Sequence, residues 1–256
     1  MAAKYIYIAP HLDDAVLSCG GLIFEQVRAG HQVEVWTLTA GIPDSSTMPP
    51  FGRELNAKWG IDLQALQTRR EEDIKACRVL GAQAVHLDWL DCIYRWREDG
   101  TPLVNNDDEL FSAQPEPALV EEIALWLKAH VPAKARLVGP LGVGGHVDHR
   151  LTVGALEKSD LESLFYADYP YVRYHFEWAE RFESGELKRQ PFVIGKEGVE
   201  AWQEAVLCYR SQLSTFWRTK RECQLSIANY SAGGGGRIFV CHRDNLEHPQ
   251  GASGLP

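Results

Sequence analysis

Short apolar runs alternate with amphipathic stretches over much of the chain. Tyr5-Ile6-Tyr7-Ile8-Ala9 is β-rich and of buried-strand length, and it ends at Pro10, which has no N–H to donate to a ladder. Ala15-Val16-Leu17 and Leu22-Ile23-Phe24-Gln26-Val27 then recur at helical spacing until Gly30. Residues 32–39 read as a second strand, which completes one βαβ unit in about 35 residues. The pattern repeats with a helix over 63–80 stopped by Gly81, a strand over 84–87, a helix over 117–130 and a strand over 135–138. Alternation of this kind predicts a doubly wound α/β fold, a mostly parallel sheet with helices on both faces.

Past residue 163 the periodicity weakens. A strand over 164–167, a helix over 199–212 and a strand over 237–240 are the readable elements. Residues 41–60 and 89–108 read as long functional loops. Ser231-Ala232-Gly233-Gly234-Gly235-Gly236 is a flexible turn, lacking both the Lys-Ser/Thr of a P-loop and the spaced glycines of a dinucleotide fingerprint.

Composition narrows the class. The 256 residues are 45% hydrophobic and 24% charged, an ordinary globular balance. Lys and Arg number 26 against 35 Asp and Glu, a net charge of −9, so no basic surplus is present for nucleic-acid binding. Cys19, Cys77, Cys92, Cys208, Cys223 and Cys241 are scattered without a CxxC pair and read as reduced thiols, from which a cytoplasmic location is expected. No segment approaches the 18 apolar residues of a membrane span, and the N-terminal apolar run is too brief for a signal peptide.

Two clusters carry chemistry, each placed just after a predicted strand, at the sheet edge where α/β proteins bind ligands. The first is Pro10-His11-Leu12-Asp13-Asp14, where helix capping accounts for one Asp but not for His11 and two carboxylates. The second is Gly144-Gly145-His146-Val147-Asp148-His149, just before a helix expected to resume at 151–156; its two histidines, three apart, face one site if the segment turns helically. Imidazole and carboxylate without a nearby thiolate suit Zn²⁺ or Fe²⁺, and three ligands with open positions make a catalytic rather than a structural site. A carboxylate left over beside the metal is a natural general base. From the residues alone, the chain reads as a mononuclear metallohydrolase.

Pro-His-x-Asp-Asp after the first strand, with His-x-Asp-His after a later one, resembles the PIG-L/LmbE-like N-acetylglucosaminyl deacetylases. Arg69-x-x-Glu72-x-x-x-Ala76-x-x-x-Leu80-Gly81 and Tyr209-Arg210-Ser211-Gln212 extend the resemblance over residues 4–212. It implies a Rossmann-like single domain over 1–256, with a core at about 4–212 and a C-terminal extension at about 213–256. It further implies zinc on His11, Asp14 and His149, Asp13 as the base that activates the metal-bound water, and His146 as oxyanion stabiliser or acid for the departing amine. Arg69 and Asp91 would contact the sugar, with Asp88 as the competitor of Asp91. The expected substrate is an N-acetylated sugar or glycoconjugate, and relatives often assemble as homo-oligomers.

Two departures stand out. Some members place a mobile oxyanion-binding Tyr two positions before the first His of the second motif, where this chain has Gly144, so His146, the metal, Tyr169 or Tyr171 must serve instead. Leu12 replaces the commoner Pro between His and Asp. Trp89, Tyr94 and Trp96 are candidates for stacking on a sugar, and Asp168-Tyr169-Pro170-Tyr171 is a candidate pocket wall. A dinucleotide oxidoreductase is disfavoured, since pyrophosphate would meet carboxylates after the first strand. A non-catalytic sugar-binding scaffold and a hydrolase of a different amide are the rival readings.

Overall fold

The structure is a computed structural model that describes residues 2–58, 63–175, 187–189 and 193–241. Its strands are β1 (Lys4–Ala9), β2 (Gln32–Thr37), β3 (Gln83–His86), β4 (Arg136–Pro140), β5 (Ser163–Tyr166), β6 (Leu187–Arg189) and β7 (Ile238–Cys241). They form a seven-stranded sheet in the order β3-β2-β1-β4-β5-β7-β6. The first five are parallel, as the βαβ reading requires, and β7 and β6 close one edge antiparallel.

β1 explains why its sequence is apolar throughout. Successive side chains of a strand point to opposite faces, and here both faces are covered. Tyr5, Tyr7 and Ala9 enter the core under α1 (Asp14–Arg28), α3 (Leu63–Val79) and α7 (Lys196–Val206). Ile6 and Ile8 enter the core under α5 (Pro117–His130) and α6 (Val147–Ser159). A third, smaller core around Met48, Phe51, Ile93 and Tyr94 lies beneath the loops.

α1 and α7 approach closely because α1 carries glycine where they meet. A Cβ on Gly20 would lie 2.3 Å from the Trp202 ring, and that indole, fully buried, donates from Nε1 to the Val16 carbonyl at 2.7 Å. Cys19 packs in the same core, as expected, and the five cysteines whose side chains are described are all free.

Several elements differ from the sequence expectation. The loop over 41–60 contains α2 (Pro50–Lys58), that over 89–108 a 3₁₀ turn at Cys92–Tyr94, and 109–112 the short α4 (Glu109–Ser112). α7 ends at Val206, not 212, because the next residues are drawn onto α3: the Tyr209 hydroxyl donates to Asp73 at 2.6 Å, and Ser211 donates to Glu72 from Oγ at 2.6 Å and from N at 3.1 Å. After α8 (Leu213–Phe216) comes α9 (Lys220–Ala232), unread in the sequence because it buries only Cys223 and Ile227. The glycine-rich run overlaps the end of α9 and then turns, with Gly234 and Gly236 at positive φ. Among the described residues no helix is long and apolar enough to cross a membrane.

Candidate active site

The chain leaves β1 toward β2 and β3 on one side and returns to β4 and β5 on the other. The crevice between the carboxyl ends of β1 and β4 is the switch point of the sheet, the usual ligand site of such folds. Both histidine clusters open onto it.

Asp13 occupies the cap position of α1 but makes no capping hydrogen bond, and its backbone sits at φ 140°, where an L residue is strained. The capping reading therefore fails for Asp13, whose carboxylate lines the crevice instead. Burial, with the Asp14 carboxylate beside it, raises its pKa to about 8, against the opposing pull of Arg69 and His11.

His11, Asp14 and His149 converge. Asp14 Oδ2 accepts from the His11 backbone N–H at 2.8 Å and lies 3.2 Å from His11 Nδ1 and 3.4 Å from His149 Nε2. Carboxylates fix both tautomers, since an ionised carboxylate can only accept. His149 Nδ1–H donates to Asp168 Oδ1 at 2.6 Å, which leaves its buried Nε2 without a hydrogen-bond partner. Asp168 in turn accepts from the Val143 backbone N–H at 3.0 Å. His11 Nε2–H donates to Asp148 Oδ2 at 3.0 Å, which leaves Nδ1 facing Asp14. Asp148 is fully buried, ion-paired with buried Arg95 and bonded by the Cys92 backbone N–H at 2.9 Å.

A metal fits this arrangement. Asp14 Oδ2 has an orphaned imidazole nitrogen at 3.4 Å and a second imidazole nitrogen at 3.2 Å, and each histidine is held by a carboxylate behind it, the usual support of metal-binding histidines. Nitrogens of His11, His146 and His149 also come within 4.8 Å of one another, so His146 belongs to the same group. The electrostatics agree. Burial opposes protonation of His149, yet Asp14 and Asp168 push its pKa up to about 10; Asp91, Asp14 and Asp148 likewise raise His11 against burial. This is the demand for positive charge that a cation meets when its ligands bind as neutral imidazoles. His146 behaves differently: burial, reinforced by His11 and His149, holds it neutral. Its Nδ1 accepts from the Asp148 backbone N–H at 3.3 Å, so Nε2 carries the proton.

His11, Asp13, Asp14 and His146 line the floor of a cleft of about 380 Å³, whose walls include Arg69, Asp91, Asp107, Asp108, Phe111, Tyr171, Gln212 and Phe216, while His149 is buried beside Asp14 and is not among the lining residues. Of the two competing carboxylates, Asp91 faces the cleft, 3.8 Å from His11 Nε2, whereas Asp88 is exposed and paired with Arg70 at 2.7 Å. The Arg-x-x-Glu pattern acquires a physical meaning here: Arg69 lines the cleft, while Glu72 straps Ser211 to α3 and so sets Gln212 into the wall. The second histidine cluster is more helical than expected, since α6 begins at Val147 with His146 as its cap, and His149 lies in its first turn.

The tryptophan expectation is corrected. Trp89 donates to Glu122 at 2.8 Å, Trp96 to the Thr47 carbonyl at 2.7 Å, and Tyr94 is buried with its hydroxyl on Asn56 at 2.6 Å; none lines the main cleft, because each ring is engaged by a neighbouring loop or helix. Phe111 and Phe216 are there instead. Sequence reasoning also assigned no role to Arg95 or Asp168, although Asp168 lay within a segment read as pocket wall. His86 is structural, bonded to Asp73 at 2.8 Å, and His242 and His248 lie outside the described residues.

The chain resembles known proteins in both sequence and fold. A family model described as PIG-L, GlcNAc-PI de-N-acetylase, matches residues 6–158. The 2'-N-acetylparomamine deacetylase of Niallia circulans is 29% identical over 242 residues, covering 87% of this chain and 85% of that protein. Its namesake from Streptomyces fradiae is 30% identical over 174 residues, covering 66% and 58%. Among solved structures, the zinc-inhibited form of teicoplanin deacetylase Orf2 superposes with a TM-score of 0.74 at 25% identity, covering 93% of this chain and 96% of that one. The A40926 pseudoaglycone deacetylase Dbv21 gives 0.66 at 26%, covering 93% and 96%. The chain belongs to the PIG-L family of de-N-acetylases.

Proposed function

We propose that the chain is a zinc-dependent hydrolase that removes an N-acetyl group from an N-acetylglucosamine-type amino sugar or its glycoconjugate. The observation that carries this reading is Asp14 Oδ2, 3.2 Å from His11 Nδ1 and 3.4 Å from the orphaned His149 Nε2, at a cleft lined by His11, Asp14 and an Asp13 carboxylate that caps no helix. The relatives named as deacetylases of 2'-N-acetylparomamine, of teicoplanin and of the A40926 pseudoaglycone support the same class.

His11, Asp14 and His149 would hold the zinc, which when bound would supply Lewis acidity; Fe²⁺ would suit the same donors. Asp13 takes the proton of the attacking water, and its raised pKa brings it close to the working range of a general base. His146 presents its Nε2–H to the carbonyl oxygen as charge builds there, or to the departing amine. Arg69 and Asp91, which line the cleft with Asp13 and His11, hold sugar hydroxyls.

The test is amine release from a panel of N-acetylated sugars by metal-depleted protein, with and without one equivalent of Zn²⁺. Zinc-dependent release is the expected result. Tight zinc binding with no substrate cleaved overturns the substrate class, and failure to bind zinc overturns the ligand set.

A further inference from the structure

Tyr169 and Tyr171 are separated by one residue, yet they serve different parts of the molecule. Tyr169 is buried in the core under α1 and α9, its ring stacked on Tyr230 at 4.2 Å and its hydroxyl bonded to Ser226 Oγ at 2.9 Å. Tyr171 turns the other way and lines the catalytic cleft with Asp13, Asp14 and His146. Its ring meets His149 edge-on with centroids 5.4 Å apart and Phe111 at 6.3 Å. Its hydroxyl makes no hydrogen bond to any described residue. A phenol among active-site carboxylates and histidines, with its donor unengaged among the described residues, is placed to serve a bound ligand.

Gly144 is the counterpart of this placement. Its φ is +90°, and a Cβ there would lie 2.8 Å from Tyr171 Cδ1 and 3.0 Å from Cγ. The bare backbone of the His146 loop is therefore what lets the Tyr171 ring lie over His149.

We propose that Tyr171 donates its O–H to the acyl oxygen of the bound amide as negative charge develops there, and that Gly144 provides the space the ring needs to do so. The inference rests on the deacetylase reading above. It assigns the oxyanion donor to the segment after β5 rather than to the loop after β4, and pairs it with the His146 Nε2–H.

The experiment compares zinc-loaded wild type with Tyr171→Phe, which keeps the ring over Gly144 and removes only the donor. Turnover of the best acetylated amino sugar is expected to fall about 100-fold or more, as for other single oxyanion donors, with KM within about threefold. Calorimetry supplies a readout independent of turnover: affinity for a methylphosphonamidate analogue of the acetamide falls in step with kcat/KM, while zinc content and affinity for the amine product stay at the wild-type level. Gly144→Ala, which crowds the ring and leaves the phenol, lowers kcat in the same direction, and the double variant is no worse than Tyr171→Phe alone. Unimpaired turnover in Tyr171→Phe, equal losses for analogue and product, or multiplicative effects in the double variant each overturn the proposal while the deacetylase reading stands. A wild type that cleaves no acetylated amino sugar overturns both.

Discussion

The inner and outer halves of the cleft are built on different principles. The inner half hangs on the ends of β1 and β4 and the first turns of α1 and α6, and its histidines are pinned from behind by buried carboxylates, Asp148 for His11 and Asp168 for His149. The outer half is loop-borne: Asp107 and Asp108 are exposed, Phe111 belongs to a four-residue helix, and Phe216 ends another. The first arrangement holds atoms to the tolerance that metal binding and proton transfer demand. The second leaves the walls open to change without touching the chemistry, as loops on a rigid scaffold generally do.

The contrast is sharpest where a ligand is removed. His149→Ala is expected to retain no zinc after dialysis and to have no measurable turnover, checked by elemental analysis; a variant that holds a full equivalent removes His149 from the ligand set. Asp13→Ala is expected to keep its zinc and lose about 10³-fold in kcat, within the range of a lost general base. Near-normal turnover in that variant would sink the base assignment.

A third substitution probes the pinning itself. Asp168→Asn preserves shape but removes the charge behind His149, and zinc affinity measured by chelator competition is expected to drop about 10–100-fold. Wild-type affinity there would make the inner half no more organised than the outer. The smallest effect belongs to the rim: Asp107→Asn should leave zinc affinity untouched and move KM alone, by a shift worth less than about 1 kcal/mol. A fall in kcat with unchanged KM would place Asp107 among the residues acting on the reacting atoms.

The same division governs what could be read from the chain. The parallel core was legible because its strands are buried on both faces and its helices end at Gly30 and Gly81, which are local signals. Both histidine clusters were legible because their residues are near neighbours in sequence. Asp168 was not assigned, because its bond to His149 spans 19 positions and exists only once β5 pairs with β4. Arg95 reaches Asp148 across 53 positions from a loop with no periodicity. Trp96 looked like a sugar platform because sequence locates a ring on a loop but not the direction it faces, and this ring folds back onto Thr47.

The strained backbone at Asp13 bears on the rival reading of a lapsed, sugar-binding scaffold. A residue at φ 140° costs of the order of 1–3 kcal/mol, which glycine at the same position largely avoids. Asp13→Gly should therefore melt at or above the wild-type temperature while losing the base, so stability and catalysis pull this codon in opposite directions. In a protein freed from its reaction, mutation alone would carry the position toward the relaxed residue. An aspartate at this strained position therefore makes sense through its carboxylate in the cleft and not through the stability of the fold.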